Sequence, residues 1–343
     1  MNEKKNAKHN PLVSVLCATY NHENFIAQAL ESFIIQETNF AFEIIVGEDC
    51  STDKTKEIVE KYAQKYPNLI KPIYQSVNSG GYKNCADIFN ISKGKYFILN
   101  EGDDFFSDKH KLQIQVDFLE KHPEYSLCFH PVRIFWQDKA KKDFIFPSKS
   151  ARRKIGKKLD YETLKSYNFM HTNSVMYRKG KYKFEDIMPK DILPGDWMIH
   201  LHYSKLGKIG FIDKIMSAYR RHSSGLWYLA TIAPEQHYLK YGILLVNFYY
   251  QASKKFINDE KFWFQQATHK YNEVSQTYLK YRQWEQLEKM RQYFPELSAN
   301  NTIATNTRPN FKRKYKKYKK ISIMLTILSI FFAIMLALLV IFK

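Results

Sequence analysis

The stretch Lys95–Asp104, with the sequence KYFILNEGDD, decides the fold, because an apolar run ends there in three closely spaced carboxylates. Lys95–Asn100 has the length and the aromatic and branched content of a buried strand. Gly102 permits a tight bend directly after it. We therefore expect the three acidic side chains to lie together at the end of a strand. An acidic turn that merely leads into a helix is the alternative.

Strands and helices alternate on both sides of this stretch. Short apolar runs predict further strands, and apolar residues at helical spacing predict helices between them. The strands are Leu12–Ala18, Phe42–Gly47, Leu69–Tyr74 and Ser126–Phe135, and the helices are Glu23–Gln36, one that is capped by Ser51 or Thr52 and stops at Pro67, Asn84–Ile91 and Lys109–Lys121. This order predicts a Rossmann-like α/β fold, with a mainly parallel sheet and helices on both faces.

Polar clusters follow the predicted strands at the points where they end. They are Thr19–Asn21, Glu48–Asp53, Asn78–Gly81 and the acidic turn itself. In open α/β sheets, ligands bind beyond the carboxyl ends of the strands. Four separate turns should thus converge on one rim, where we expect the functional site.

The acidic turn has the chemistry of a cation site. Mg²⁺ prefers carboxylate oxygens, and it typically takes one or two of them from the protein together with phosphate oxygens. The turn is therefore a candidate site for a divalent cation and a nucleoside diphosphate. Asp49, after the second strand, either accepts hydrogen bonds from a base or ribose or caps the following helix.

Two later motifs add further candidates. Asp196, in the stretch PGDW, is either a general base at the start of a helix or an N-cap. The stretch YRRHSSG begins at Tyr219 and places Arg220 and Arg221 next to His222. Guanidinium groups recognise phosphate well, and the imidazole can complete a metal shell. A basic surface turn is the alternative for this motif.

The region between these motifs is less regular, and the C-terminal third is helical. The polar, basic stretch Lys139–Lys158 is interpreted as a mobile loop. Predicted elements follow, namely a helix at Asp160–Tyr167, a strand at Thr172–Tyr177, a helix at Gly195–Leu206 and a strand at Lys208–Arg220. We place the α/β domain at residues 1–230 and a helical extension at residues 231–307.

Composition limits the possible classes of protein. The 45% hydrophobic and 16% aromatic content exclude a largely disordered chain. The net charge of +19 favours anionic partners, which are nucleic acid, anionic lipid or phosphorylated small molecules. None of the four cysteines has C-x-x-C spacing, so a zinc site is not expected. We expect instead the buried, reduced thiols of a cytoplasmic protein.

The C-terminal end predicts a membrane anchor. Residues 321–342 carry no charge, and as a helix they would extend about 33 Å, close to the thickness of a bilayer core. Residues 308–320 contain eight Lys or Arg and no acid. This basic segment should stay in the cytoplasm and contact anionic lipid, rather than RNA or another nucleic acid. We expect a single-pass protein of the inner or plasma membrane whose folded part is cytoplasmic.

Six of these motifs, in this order, resemble those of family 2 glycosyltransferases, which have the GT-A fold. They are Val13–Asn21, Glu48–Asp53, Gly94–Asp104, Gly195–Trp197, Gly207–Ile209 and Tyr219–Trp227, and the last three resemble a bacterial branch of the family. The resemblance covers about two thirds of the chain. Two departures stand out. Cys50 occupies a position where Gly is usual and positive φ is easily adopted, so a different turn is expected, and Glu101 replaces a more common Asp.

The resemblance implies a role for each candidate residue. The residues implied to bind the nucleotide sugar are Thr19, Asn21, Glu23, Asp49, Ser51, Asp103, Arg220 and Arg221, with Asp49 on the base and the arginines on the diphosphate. The residues implied to bind Mg²⁺ or Mn²⁺ are Asp103, Asp104 and His222. Asp196 would be the catalytic base.

The implied reaction is a metal-dependent, inverting transfer of a sugar from a nucleotide-sugar donor, a UDP-sugar, to a lipid-linked or saccharide acceptor in surface polysaccharide or glycolipid assembly. Two alternatives remain. A sugar-phosphate nucleotidyltransferase should have a Gly-rich loop after the first strand, and Thr19–Glu23 contains no Gly. A membrane-tethered basic binding protein without catalysis does not explain the acids at the rim, which would repel phosphate in the absence of a metal.

Overall fold

The computed structural model describes residues 10–139, 141–155 and 159–299. The chain divides into two compact units, one ending at Ile232 and the other beginning at Ala233. The first unit contains every candidate site residue. The division lies next to the domain boundary that the sequence predicts after residue 230.

The first unit is built on a seven-stranded sheet with the order β10-β6-β9-β4-β1-β2-β3. Its strands are β1 Val13–Thr19, β2 Phe42–Glu48, β3 Ile70–Tyr74, β4 Tyr96–Glu101, β6 Tyr125–Phe129, β9 Met176–Arg178 and β10 Lys208–Phe211. Strands β4, β1, β2 and β3 are parallel neighbours, and β10 is parallel to β6. Only β9 is antiparallel to its partners within this sheet. The predicted mainly parallel sheet is therefore confirmed.

A smaller sheet has the order β5-β11-β7-β8. Its strands are β5 Phe105–Phe106, β7 Val132–Trp136, β8 Phe144–Phe146 and β11 Ser217–Arg221. Strand β4 of the large sheet ends at Glu101, and β5 of the small sheet begins at Phe105. The acidic turn is thus the segment in which the chain passes from one sheet to the other.

Helices cover both faces of the large sheet. Successive residues of a strand point to opposite sides, so the sheet packs against helices on both faces. The helices of this unit are α1 Ile26–Ile34, α2 Thr55–Lys65, α3 Gly81–Ile91, α4 Lys111–Lys121, α5 Lys149–Ile155, α6 Tyr161–Ser166, α7 Phe184–Ile187, α8 Gly195–Ser204 and α9 Tyr228–Ile232. On one face, Val15 of β1 shares a buried cluster with Leu30 and Phe33 of α1. On the other, Phe97 of β4 packs edge-on against Phe89 of α3.

Three predicted segments are wrong in ways that move site residues. Ser126–Phe135 is two strands in different sheets, β6 and β7, because the chain breaks at His130-Pro131, where proline has no N–H for a ladder. Lys208–Arg220 likewise divides into β10 and β11, which lie in different sheets. Thr172–Tyr177 begins as a 3₁₀ turn at Thr172–Ser174 and is extended only in β9.

Two local predictions are also corrected. Lys139–Lys158 is not simply a loop, since it contains β8 and α5. Neither Ser51 nor Thr52 caps α2; instead, Oδ1 of Asp53 accepts a hydrogen bond from the Thr55 N–H at 2.9 Å. The four cysteines are free, with Cys17 and Cys128 buried, as expected.

The second unit is helical where it is described, as the sequence predicts. Its helices are α10 Pro234–Lys255, α11 Glu260–Lys280, α12 Trp284–Tyr293 and α13 Pro295–Ala299. They enclose a cluster of their own that includes Val246, Tyr271 and Tyr278. Within the described part of the chain, no helix combines the length and the apolar character that a membrane crossing needs. The predicted anchor at residues 321–342 and the basic segment at 308–320 lie outside the described residues.

A buried lysine lies close to the acidic turn at Glu101–Asp104, which we call the acidic crossover because it connects β4 of the large sheet with β5 of the small sheet. Lys111, at the start of α4, is fully buried. Its Nζ donates to Gln115 Oε1 and lies 4.5 Å from the centre of the Phe106 ring in β5. Burial lowers the pKa of this amine to about 7, because the charged form loses its hydration.

Replacing this lysine should make stability respond differently to pH. Between about pH 7 and pH 10, the unfolded wild-type chain binds a proton on Lys111 that the folded chain has largely lost. The stability of the wild type should therefore rise with pH relative to that of Lys111→Met. Thermal unfolding of both proteins at several pH values tests this, and a difference in melting temperature that does not change with pH would contradict it.

Candidate active site

Asp103 lies at the centre of the acidic crossover between β4 and β5. Its Oδ2 accepts a hydrogen bond from His222 Nε2 at 2.9 Å, and His22 Nε2 lies 3.9 Å from the same oxygen. Its Oδ1 is buried and has no hydrogen-bond partner among the described residues. Burial opposes ionisation, but the bond from His222 and the proximity of both histidines outweigh it, so the pKa of Asp103 is lowered. Asp103 therefore carries a carboxylate with one unused oxygen.

Asp104, the next residue, is a structural carboxylate. Its Oδ1 accepts from the Arg220 backbone N–H at 2.8 Å, and its Oδ2 accepts from Asn173 Nδ2 at 3.0 Å. Burial, together with the charges of Asp103 and Glu101, raises its pKa well above the usual range. Each oxygen of Asp104 thus accepts one hydrogen bond from the protein, and the metal-binding role implied for Asp104 stays a prediction.

Arg220 also makes several contacts within the protein. Its Nε donates to the Asp103 carbonyl oxygen at 2.8 Å, and its two terminal nitrogens donate to the side-chain carbonyls of Gln137 and Gln28. The guanidinium lies 4.7 Å from the ring centre of Phe25. Three of the five N–H donors of this side chain thus bind the protein, and the diphosphate role implied for Arg220 stays a prediction. The side chain fixes the acidic crossover from behind.

The same holds in part for the two residues after Arg220. Arg221 Nη1 donates to the Trp227 carbonyl oxygen at 3.0 Å and to the Thr231 hydroxyl. His222 Nδ1 pairs with Ser224 Oγ at 2.8 Å, while its Nε2 holds Asp103. One terminal nitrogen of Arg221 is thus bound to the protein, and its diphosphate role stays a prediction, while His222 would have to release Asp103 before it bound a metal.

His22 is a site residue that the sequence did not single out. Its Nδ1 lies 3.2 Å from Thr19 Oγ1, which is the buried residue at the end of β1. Both contact the acidic crossover closely: a Cβ on Gly102 would lie 2.5 Å from Thr19 Oγ1 and 2.9 Å from His22 Nδ1. Only glycine fits at position 102. The position of His22 in the loop after β1 was the one signal available.

Asn21, Glu23 and Ser51, which are implied to bind the nucleotide, connect the loop after β1 to the loop after β2. Asn21 accepts from the Thr52 N–H at 2.9 Å through its Oδ1, and its own N–H donates to Ser51 Oγ at 3.0 Å. Glu23 Oε2 accepts from the Lys54 N–H at 3.0 Å. The contacts show these residues shaping the rim, and their binding of a nucleotide stays a prediction.

The turn at Cys50 keeps the conformation expected of glycine. Cys50 has φ of 58°, and Asn21, on the facing loop, has φ of 54°. Both lie in the left-handed region, which L-residues other than Asn and Asp visit reluctantly. The expectation that Cys50 would give a different turn is therefore wrong.

Asp49 fastens the loop that follows β3. Its Oδ1 accepts from the N–H and the hydroxyl of Ser79, both at 2.7 Å, and its Oδ2 accepts from the Gly80 N–H at 2.9 Å. The side chain is buried. These bonds go to Ser79 and Gly80 rather than to the helix that follows β2, so the capping alternative is wrong, and contact with a base or ribose stays a prediction. Its neighbour Glu48, which the sequence did not select, is also buried and accepts from the Ser51 N–H.

Asp196 lies in the first turn of α8. Its Oδ1 accepts from the Trp197 N–H at 2.7 Å, and its Oδ2 accepts from Thr172 Oγ1 at 3.0 Å. The side chain is 20% exposed. Burial raises its pKa. The N-cap residue of α8 is Pro194, so the capping alternative is wrong and a partly exposed, basic carboxylate remains.

Glu101 interacts electrostatically with both Asp103 and Asp196. Although Glu101 is exposed, partial loss of hydration, together with the charges of Asp103 and Asp196, raises its pKa to about 8. The site thus concentrates negative charge that a cation would relieve. Among the residues that the structure describes, however, no three or more His, Cys, Asp or Glu side chains are arranged to hold a metal by themselves.

Comparison with known sequences agrees with this arrangement. Residues 14–183 match the sequence model of Glycosyl transferase family 2. These residues, just under half of the chain, are similar to a family 2 glycosyltransferase domain. The match includes the acidic crossover and ends before Asp196 and β11, so part of the site lies beyond the matched residues.

Curated relatives share this domain. An uncharacterized protein of Mycobacterium tuberculosis is 40% identical over 218 residues, which are 64% of this chain and 61% of that protein. The chain thus spans about three fifths of the length of that relative. A putative teichuronic acid biosynthesis glycosyltransferase of Bacillus subtilis, TuaG, is 31% identical over 109 residues, 32% of this chain and 42% of that protein.

A solved structure shares the fold of this domain. It is a mannosyltransferase from Pyrobaculum calidifontis in complex with GDP-Man and Mn²⁺, with a TM-score of 0.52 and 14% identity over 91% of this chain and 84% of that one. The mixed α/β fold with a mostly parallel sheet is confirmed, and it fits the predicted GT-A architecture.

The adjacent carboxylates should differ in what they do for stability. Asp104→Asn turns an amide group toward a protein donor, which should cost about 1–3 kcal/mol and lower the melting temperature by several degrees. Asp103→Asn is the matched control, because its amide oxygen can still accept from His222 while its amide nitrogen takes the place of Oδ1, which has no protein partner among the described residues. Thermal denaturation of both variants measures this, and an equal or larger loss in Asp103→Asn would contradict the assignment.

Proposed function

We propose that this protein is a glycosyltransferase that moves a sugar from a nucleoside diphosphate sugar to an acceptor hydroxyl, with inversion. The observation that carries the proposal is the partly exposed Asp196 carboxylate, which shares an electrostatic field with the acidic crossover of a domain similar to family 2 glycosyltransferases. The names of relatives such as TuaG support the general activity.

Asp196 is proposed to act as the general base. The acceptor hydroxyl gives its proton to Asp196 while its oxygen forms a bond to the anomeric carbon. The bond from that carbon to the diphosphate breaks, and its electron pair leaves with the nucleoside diphosphate. The raised pKa of Asp196 suits this role, because a more basic carboxylate takes a proton more readily at neutral pH.

Asp103 is the residue that best fits a divalent cation. Its unused, buried Oδ1 is a carboxylate oxygen without a protein partner among the described residues. Mg²⁺ or Mn²⁺ would be held through Asp103 and the phosphate oxygens of the donor, which accords with the few protein ligands that Mg²⁺ usually takes. When bound, the cation supplies positive charge to the leaving diphosphate. Arg220 and His222 keep Asp103 in place for it.

The donor and acceptor are proposals of a different kind. A UDP-sugar donor follows from the family resemblance. A lipid-linked or saccharide acceptor, in surface polysaccharide or glycolipid assembly, is supported by the similarity to TuaG, whose name refers to teichuronic acid biosynthesis, and by the apolar segment at residues 321–342. That segment would place the protein in the inner or plasma membrane as a single-pass protein, with its catalytic domain in the cytoplasm and its basic segment on anionic lipid.

Donor binding should depend on the cation through Asp103. We expect one member of a panel of UDP-glucose, UDP-N-acetylglucosamine, UDP-galactose and GDP-mannose to raise the melting temperature, and to raise it further with Mn²⁺. In Asp103→Ala, the increment due to Mn²⁺ should disappear. If no nucleotide sugar in the panel changes the melting temperature of the wild type, the proposed function is wrong.

Transfer should require the carboxylate of Asp196. Asp196→Asn should lower kcat by about 10²-fold to 10⁴-fold, the usual effect of losing a general base. The donor-induced thermal shift should survive, because the amide keeps the shape of the side chain. The assay follows release of nucleoside diphosphate with a total membrane lipid extract as acceptor, and an unchanged kcat would refute the assignment.

A further inference from the structure

A buried histidine lies one helical turn beyond the proposed base. His200, on α8, is fully buried, and its Nε2 lies 3.8 Å from Asp196 Oδ2. Residues four apart on a helix share a face, so α8 itself sets this proximity. Nε2 has no hydrogen-bond partner among the described residues. An unused buried nitrogen facing a functional carboxylate calls for an explanation.

The other ring nitrogen of His200 determines what Nε2 presents. Nδ1 lies 2.7 Å from the hydroxyl oxygen of Tyr177 in β9. A neutral imidazole has one donor and one acceptor nitrogen. If the Tyr177 hydroxyl donates to Nδ1, the ring proton resides on Nε2 and the N–H is directed at Asp196. The opposite tautomer would direct a lone pair at a carboxylate, which is electrostatically unfavourable.

His200 stays neutral over the range in which enzymes operate. Its complete burial lowers its pKa to about 3, since the charged ring would lose its hydration, and this outweighs the opposing effect of a hydrogen bond to the Met170 backbone. It therefore offers Asp196 a fixed dipole rather than a proton that titrates. In a low-dielectric interior, such a dipole has a stronger effect than it would in water.

The surroundings of Asp196 leave a distinct part for this dipole. The Trp197 N–H and the Thr172 hydroxyl occupy one position on each oxygen, and the side-chain amide of Asn168 also stabilises the carboxylate. The other titratable neighbours are His171, whose pKa burial lowers to about 4, and Glu101, across the site. Like His200, His171 is therefore neutral near pH 7.

Tyr177 connects this group to the central sheet. Its ring stacks on that of Phe97 in β4, with the centres 4.6 Å apart and the planes 13° from parallel. Strand β4 ends in Glu101 and the acidic crossover. The chain of contacts from Phe97 through Tyr177 and His200 thus relates the position of Asp196 to the strand that carries Asp103.

We propose that Tyr177 and His200 are positioning residues for Asp196, with Tyr177 setting the tautomer of His200 and the Nε2–H orienting and stabilising the carboxylate. This inference rests on the proposed role of Asp196 as the base. The separation of 3.8 Å exceeds a hydrogen bond, and such contacts are often long before substrate binds and shorten in the reactive complex.

Three variants separate the proposed role from simple packing. His200→Leu removes the N–H, His200→Gln can place an amide N–H near the position of Nε2, and Tyr177→Phe removes only the hydroxyl. Tyr203→Phe is the matched control, because Tyr203 is buried and packs against Tyr177, yet its hydroxyl donates to the Lys179 carbonyl oxygen.

The assay uses the full chain, the nucleotide sugar that gives the largest thermal shift in the panel above, and total membrane lipid extract. His200→Leu should lower kcat by about 10-fold to 100-fold, the range expected for a hydrogen bond to a charged group, with the donor KM unchanged. His200→Gln should recover most of this loss, and Tyr177→Phe should show part of it. Tyr203→Phe should keep the wild-type kcat.

The pH profile gives an independent readout. Without the N–H, the ionised form of Asp196 is less favoured, so the acidic limb of kcat should move to higher pH in His200→Leu and Tyr177→Phe. An unmoved limb in Tyr177→Phe would overturn the proposal even if His200→Leu folded poorly. So would equal losses of kcat in Tyr203→Phe and Tyr177→Phe.

The result for Asp196→Asn tells the two failures apart. If Asp196→Asn is inactive while His200→Leu has full activity, this inference fails and the proposed base stands. If Asp196→Asn is fully active, the proposed base fails and this inference fails with it.

Discussion

The active-site region depends on one constraint: the buried carboxylate of Asp104 must receive hydrogen bonds from the protein. It receives a backbone N–H from β11 and a side-chain amide from Asn173, so it joins three segments that are distant in sequence. An unpartnered carboxylate at this depth would be strongly unfavourable. The acidic crossover, the small sheet and the 3₁₀ turn at Thr172–Ser174 must therefore meet in one arrangement. Arg220 completes it by binding the Asp103 carbonyl oxygen.

That constraint explains a division of labour between adjacent acids. Each oxygen of Asp104 accepts a hydrogen bond from the protein, whereas Oδ1 of Asp103 is buried and has no protein donor among the described residues. Despite its burial, the pKa of Asp103 is lowered by His222 and His22, whereas burial and the charges of Asp103 and Glu101 raise the pKa of Asp104. Two neighbouring carboxylates in one motif thus have different chemistry, because only one of them is fully paired.

The sequence predicted the large sheet well, because its strands are short apolar runs that end in polar turns. It failed where one apolar run serves two sheets, as in Ser126–Phe135, since hydrophobic periodicity does not report which sheet a strand joins. Asp103 and Asp196 were identified from their motifs. The contacts of Arg220 with Gln28 and Gln137 could not be predicted, because those residues are distant in sequence and have no recognisable pattern. His22 and His200 were missed for the same reason.

The small sheet has a consequence for the order in which the chain can fold. Strand β11, at Ser217–Arg221, supplies the donor to Asp104, which lies more than a hundred positions earlier. During synthesis, the acidic crossover is made long before that donor exists. A nascent chain that stops near residue 183, where the family match ends, would hold Asp104 without its partner from β11. Contacts of such long range form late and slowly, so we expect the nascent first unit to complete its active site only after β11 has emerged.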